Sequence, residues 1–152
     1  MALELEQMVT DYWREVDFNG GNDATNFFTQ DVVADFGAIQ FQGHEGVRGF
    51  YADRLAKIRE QQKDGIRTTR HVYQNLQIVF REKDRADLSF LIITYGGGGH
   101  PPVADAAVPV SISDTRFECR LGEDGQWRIF GFYGSPIFLG TEEFARNALI
   151  AK

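Results

Sequence analysis

Hydrophobic side chains near the start of the chain recur at intervals of three and four residues, the period of an amphipathic helix. They are Leu5, Met8, Val9, Tyr12, Trp13 and Val16. The adjacent glycines Gly20 and Gly21 disfavour helix and predict its end. A similar pattern over residues 45–62 predicts a longer helix further along the chain. Its apolar positions are Val47, Phe50, Tyr51, Leu55 and Ile58.

The segment between these helices predicts a short helix followed by a hairpin. Asn22 or Asp23 can cap the short helix with a side-chain oxygen. Two strand-like pieces, residues 32–36 and 39–42, bracket Gly37, where a tight turn is expected.

Beyond Gly65 the chain changes to long segments rich in branched and aromatic residues, which are typical of strands. They cover residues 68–81, 86–95, 108–121 and 127–133. Because turn-forming segments connect them in sequence, we expect an antiparallel sheet, followed by a last helix from Thr141 onward. Helices first and a sheet afterwards predict an α+β fold of one domain over residues 1–152. In it, a strongly curved antiparallel sheet forms a cone that the N-terminal helices close around an apolar pocket.

Charge and composition narrow the choice of partners. The chain has 22 acidic and 16 basic residues, a net charge of -6 and no cluster of Lys or Arg, so neither nucleic acid nor an anionic membrane is expected to bind. No apolar run approaches the ~18 residues of a membrane span. The first residues include acids where a signal peptide would have Lys or Arg, and Cys119 is the single cysteine. We therefore expect a cytoplasmic protein.

Two ionisable residues are candidates for acid–base chemistry. His71 lies in the first long strand, where strict alternation groups it with Tyr73, Asn75 and Gln77 on one face. This polar face either meets solvent or lines a cavity. Asp17 ends the apolar stripe of the first helix, where its carboxylate is either exposed or paired with a histidine. Such a pair fixes the imidazole tautomer, as a base that removes a proton requires.

Other charged positions leave alternatives open. Arg116 and Asp114 alternate with Phe117 and Cys119, so one of the two sets faces inward. An inward Arg116 could stabilise a developing anion, whereas an outward one is an exposed charge. His100, in GGGGHPP, either stays in a solvated loop or enters the pocket. The histidines lack the close spacing of metal ligands, so no metal is expected.

Four segments resemble a known protein family. They read YWREVDFNGGNDATNFFTQDVVADFG, FQGHEGVRGFY, RTTRHVYQN and SDTRFECRLGEDGQWRIFGF. In this order, over roughly residues 3–140, the chain resembles the SnoaL-like branch of the nuclear-transport-factor-2-like (cystatin-like) superfamily. Within that branch its patterns are most similar to those of scytalone dehydratase and γ-hexachlorocyclohexane dehydrochlorinase. The Asp–His dyad of those enzymes matches Asp17 and His71, with Asn75 in the histidine's sequence context.

The resemblance implies a lyase or isomerase that removes a proton from a small cyclic or aromatic substrate without a cofactor. In this hypothesis Asp17 orients His71, which is the base. The side chains expected to bind the substrate are Tyr12, Trp13, Phe36, Tyr51, Tyr73, Asn75, Tyr95 and Arg116. Val16 and Phe36 stand where the dehydratase has tyrosines that hold a water molecule, which favours a related but different reaction.

The alternative is a binding module without catalysis, such as the small accessory subunit of a ring-hydroxylating dioxygenase. Such a subunit needs no contact between Asp17 and His71, so a separation beyond about 5 Å would favour it. The resemblance also implies a homo-oligomer, a dimer or a trimer, in which a second copy covers the exposed face of the sheet.

Overall fold

The computed structural model describes residues 1–104 and 109–149, which form three α-helices and one six-stranded sheet. The helices are α1 (Ala2–Asn19), α2 (Gly43–Gln61) and α3 (Glu143–Leu149). The strands are β1 (Phe28–Asp35), β2 (Gln40–Gln42), β3 (Arg67–Glu82), β4 (Arg85–Gly98), β5 (Ser111–Leu121) and β6 (Trp127–Leu139). None of the described helices is long and apolar enough to cross a membrane.

The order of the strands in the sheet is β2-β1-β6-β5-β4-β3, and the sheet is open because β2 and β3 form its two edges. The α+β class is confirmed, and β3 to β6 are antiparallel as predicted. The expectation of a purely antiparallel sheet is wrong at one place, because β1 pairs in parallel with β6. Hydrophobic periodicity shows which segments are strands, but it does not show which distant strand will lie beside β1.

Helix α1 buries the apolar stripe that the sequence predicts, from Leu5 to Val16, against the inner face of the sheet. It ends at Gly20, whose φ of 65° lies in the left-handed region that glycine adopts without strain. The predicted short helix is a single turn of 3₁₀ helix, Ala24–Phe27. The predicted strand start at residue 108 and the end of the last helix, residues 150–152, lie outside the described residues.

Strand β4 continues through three glycines that the sequence suggested as part of a turn. Gly96 pairs with Thr69 on β3, and a Cβ atom at Gly96 would lie 2.7 Å from a guanidinium nitrogen of Arg67. Glycine therefore leaves room for the Arg67 side chain while the strand pairing continues. His100 follows in an exposed loop.

A bulge at Asn75 changes which side chains of β3 face inward. Its φ is 58°, and the pairing with β4 shifts between Gln74 and Gln77. Near the bulge, His71 and Tyr73 are partly buried before it, and Leu76 and Ile78, followed by Val79, are partly buried after it. The predicted alternation is therefore wrong beyond Tyr73, and Asn75 and Gln77 are exposed.

This bulge predicts a specific stability pattern. Substitution Asn75→Val should lower the free energy of unfolding by about 1–2 kcal/mol, because a branched residue is strained at positive φ. Asn75→Gly should lower the free energy of unfolding by less, since glycine adopts this conformation freely. Urea unfolding followed by circular dichroism measures both. A valine variant as stable as the wild type would show that the bulge is absent in solution.

Candidate active site

A cavity of about 630 Å³ lies between the three helices and the inner face of the sheet, a size that suits a small organic molecule. Aromatic rings form much of its wall. They belong to Tyr12, Trp13, Phe36, Phe50, Tyr51, Phe132 and Phe144. The polar side chains of the wall come from separate elements. They include His71, Arg54, Arg67, Thr94, Ser111, Ser113 and Thr115.

Asp17, in the last turn of α1, is hydrogen-bonded to two residues of β3. Its Oδ1 accepts from Nδ1 of His71 at 2.6 Å and from Oγ1 of Thr69 at 3.2 Å. Its Oδ2 accepts from the backbone N–H of His71 at 2.9 Å. The carboxylate side chain is only 5% exposed. Because Nδ1 donates to Asp17, Nε2 is the nitrogen that remains for a ligand in the pocket.

The ring of Trp13 stacks on the imidazole of His71 and restricts its orientation. The two ring centres are 4.6 Å apart and the planes differ by 19°, which is a stacked arrangement. Trp13 lies one helical turn before Asp17, so the same face of α1 supplies both contacts. His71 is therefore fixed by a hydrogen bond at one nitrogen and by stacking on one face.

Two tyrosine hydroxyls form a second polar group in the pocket. Tyr12 of α1 and Tyr51 of α2 are hydrogen-bonded to each other, and both rings are buried. Burial raises the pKa of Tyr12 and raises that of Tyr51 to about 12, so both hydroxyls keep their protons near neutral pH. The hydrogen bond between the two hydroxyl groups uses only one of their two protons. The other remains available for a ligand oxygen.

Helix α3 covers the cavity and is held by Arg67. The guanidinium donates to both carboxylate oxygens of Glu142, at 2.6 and 3.0 Å, and lies 4.5 Å from the centre of the Phe144 ring. The Arg67 side chain is 3% exposed, so it depends on Glu142 to balance its charge. Phe144 and Leu149 form part of the cavity wall.

The sequence profile of the SnoaL-like domain family matches residues 2–132. The chain belongs to the SnoaL-like domain family. The resemblance at family level is thereby confirmed, while the greater similarity to particular enzymes stays a prediction. No curated protein sequence matches the chain.

Solved structures share the fold of this SnoaL-like protein at low sequence identity. A candidate aromatic ring hydroxylase from Novosphingobium aromaticivorans is 21% identical, with 94% of each chain covered and a TM-score of 0.68. An NTF2-like protein with a cystatin-like fold from the same species is 14% identical, with 98% of this chain and 88% of that chain covered and a TM-score of 0.70. A protein from Catenulispora acidiphila in complex with S-DNPA is 17% identical, with 89% and 92% covered and a TM-score of 0.69.

Five of the predicted site residues line the cavity of this SnoaL-like domain: His71, Tyr12, Trp13, Phe36 and Tyr51. A sixth predicted residue, Asp17, does not line the cavity itself but is hydrogen-bonded to His71, which does.

The structure does not bring the other four predicted residues to the cavity. Tyr73 points inward but shares a hydrogen bond of 2.8 Å with Thr10, and Asn75 is exposed at the bulge. Tyr95 is 37% exposed. Arg116 lies on the outer face, with its guanidinium 4.6 Å from the centre of the Tyr133 ring. It faces outward because Phe117 and Cys119 are the buried set of β5.

A row of hydroxyl groups on the inner face was missed by the sequence analysis. His71 lies directly opposite Thr94 on β4, which lies opposite Ser111 on β5. Ser113 and Thr115 follow Ser111 at every second position of the same strand and also line the cavity. Their spacing of two matches that of the buried Phe117 and Cys119, which is the signal that could have identified them. Within the part of the chain described, no group of three or more His, Cys, Asp or Glu side chains could hold a metal ion.

The position of Tyr51 depends on Gly21, and this predicts a difference between two glycine substitutions. Gly21 and Gly125 have φ values of 77° and 78°, but a Cβ atom at Gly21 would overlap the Tyr51 ring, whereas at Gly125 it would meet nothing within 4 Å. Both alanine variants carry the same backbone strain, about 1–2 kcal/mol. Gly21→Ala should lower the free energy of unfolding by roughly a further 1–3 kcal/mol, because the added methyl group overpacks the site. Equal losses in urea unfolding would contradict the packing of Tyr51 against Gly21.

Proposed function

We propose that this SnoaL-like protein is a cofactor-independent lyase or isomerase in which His71 removes a proton from a carbon atom of a small cyclic or aromatic substrate. The observation that supports this most is the 2.6 Å contact between Nδ1 of His71 and Asp17, on a ring that lines the cavity. A base of this kind needs one nitrogen held by a fixed partner and the other open to the substrate.

The proposed reaction begins when Nε2 of His71 takes a proton from carbon. The C–H electron pair moves into the substrate as an enolate or an equivalent anion, and the imidazole becomes a cation. Asp17 stabilises that cation through the hydrogen bond it already accepts. In an elimination, the anion expels hydroxide or halide from the neighbouring carbon; hydroxide takes the imidazolium proton and leaves as water, whereas after loss of halide that proton passes to solvent. In an isomerisation, the imidazolium returns the proton to another atom of the anion. Each route restores neutral His71.

Hydroxyl groups around the cavity can stabilise the developing negative charge. Thr94 and Ser111 lie in the same cross-strand row as His71, and the Tyr12–Tyr51 pair has one proton to donate. In a cavity with aromatic walls such donors are stronger than they are in water. The SnoaL-like family often includes enzymes of the polyketide cyclase and isomerase type.

The binding module remains the alternative outcome. Nδ1 of His71 lies 2.6 Å from Oδ1 of Asp17. A separation beyond roughly 5 Å would have favoured the binding module. The likeness to the Catenulispora acidiphila protein in complex with S-DNPA supports a small molecule as the occupant of the cavity. Both functions predict such a ligand, so catalysis has to be tested directly.

We also expect the protein to be a cytoplasmic homo-oligomer, a dimer or a trimer. An apolar row crosses the outer face of the sheet, in which Val72, Ile93, Ile112 and Phe138 lie opposite one another on four neighbouring strands. Phe138 is largely exposed. A second copy on this face would cover the row.

Proton abstraction can be measured without knowing the natural substrate. Wild-type protein should accelerate deuterium incorporation beside the carbonyl of 1-tetralone or 1-indanone in D₂O, as followed by NMR. His71→Asn should lower the rate by at least about 100-fold, because the base is lost. Asp17→Asn should lower it by at least about tenfold, because the imidazole loses its fixed tautomer.

His44→Asn is the matched control, since His44 is also partly buried but its Nε2 donates to the carbonyl oxygen of Phe28 and does not line the cavity. This variant should keep the wild-type rate. Full exchange by His71→Asn would contradict the proposal. Binding of these ketones by the wild type without exchange would support the binding module instead.

A further inference from the structure

We infer that the substrate carries a carboxylate group and that Arg54 of α2 binds it inside the cavity. This inference rests on the proposed function and narrows it, from a small cyclic or aromatic molecule to a monoanionic acid of that class.

Arg54 lines the same cavity as His71 but comes from a different wall. It lies three residues after Tyr51 on α2, so the two side chains share one face of the helix. The side chain is half-buried, and burial lowers the pKa of its guanidinium. The group still remains charged, because arginine keeps its proton in proteins.

Two acids close to Arg54 are already engaged by other groups. Asp17, whose charge acts on Arg54, accepts from His71 and Thr69, and Asp53, the preceding residue, lies 2.9 Å from Lys57. Within residues 1–104 and 109–149, Arg54 has no hydrogen bond or ion pair.

The other two cations of the cavity wall have partners. Lys57 lies 2.9 Å from Asp53, and Arg67 lies 2.6 Å from Glu142. Arg54 is therefore the cation of the described wall that has no ion pair, and the charge of Asp17 acts on it only from beyond ion-pair distance. A partly desolvated charge without a partner is unfavourable, and an anionic ligand would remove that cost.

A carboxylate fits this position better than a phosphate. The planar guanidinium donates two parallel hydrogen bonds to a carboxylate, and the free proton of the Tyr12–Tyr51 pair lies on the same wall. One carboxylate charge balances one guanidinium charge. A dianionic phosphate would bring a second negative charge, which Lys57 and Arg67 could balance only by leaving their partners.

Two fixed points would then orient the substrate. Arg54 would hold the carboxylate at α2, the aromatic walls would enclose the ring, and Nε2 of His71 on β3 would face a ring C–H. Binding at two separate walls sets both the position and the rotation of a rigid ring.

The inference is tested by the affinity of matched acids and amides, measured by isothermal titration calorimetry. The probes are 1-naphthoate with 1-naphthamide and 2-naphthoate with 2-naphthamide. Wild-type protein should bind at least one of the acids about tenfold or more tightly than its amide, because a charged hydrogen-bonded pair is lost with the amide. Arg54→Gln should bind the acid and the amide equally. Arg59→Gln should keep the preference, since Arg59 is an exposed arginine of the same helix that does not line the cavity.

The same titrations in His71→Asn separate this inference from the proposed function. The preference for the acid should persist there, because His71 is not the carboxylate partner. A wild type that binds acid and amide equally, or binds neither pair, would overturn the inference whether or not Arg54→Gln folds. A preference that survives in folded Arg54→Gln would overturn it as well.

Discussion

The carboxylate of Asp17 joins the first helix to the sheet, and the geometry of the pocket depends on it. An acid in the last turn of a helix faces the negative end of the helix dipole and is unfavourable there by itself. Three hydrogen bonds from Thr69 and His71 offset that cost. The same hydrogen bonds fix the position of α1 relative to β3 and the orientation of the His71 imidazole. Removing the carboxylate would therefore weaken the contact between α1 and the sheet, and it would also leave the His71 imidazole without its fixed partner.

Rigid aromatic contacts surround this junction. Trp13 stacks on His71, and Tyr12 makes edge-to-face contacts with Phe117 and Phe132. Such packing leaves little freedom for the rings that form the cavity wall. The polar groups lie on different walls, with His71 on the sheet and Arg54 on α2. A ligand bound in such a pocket would be oriented by groups that already stand in place, without rearrangement of the wall.

Periodicity predicted the helices and long strands well, because one buried face determines each of them. It failed at Asn75, where one residue in a left-handed conformation exchanges the two faces of β3. It also missed the parallel pairing of β1 with β6, which depends on contacts between distant segments. The contact between Asp17 and His71 was expected mainly from the family resemblance, since the pattern alone left Asp17 either exposed or paired. Arg54 gave no signal, since a helical arginine near other charges resembles any solvated one.

The Asp17–His71 pair is tested most directly by the tautomer of His71, read from a long-range ¹H–¹⁵N correlation spectrum of protein labelled in its histidines. The neutral ring should carry its proton on Nδ1, with Nε2 as the unprotonated nitrogen, and Asp17→Asn should remove this preference. A neutral ring with its proton on Nε2, or a spectrum that Asp17→Asn leaves unchanged, would contradict that pairing.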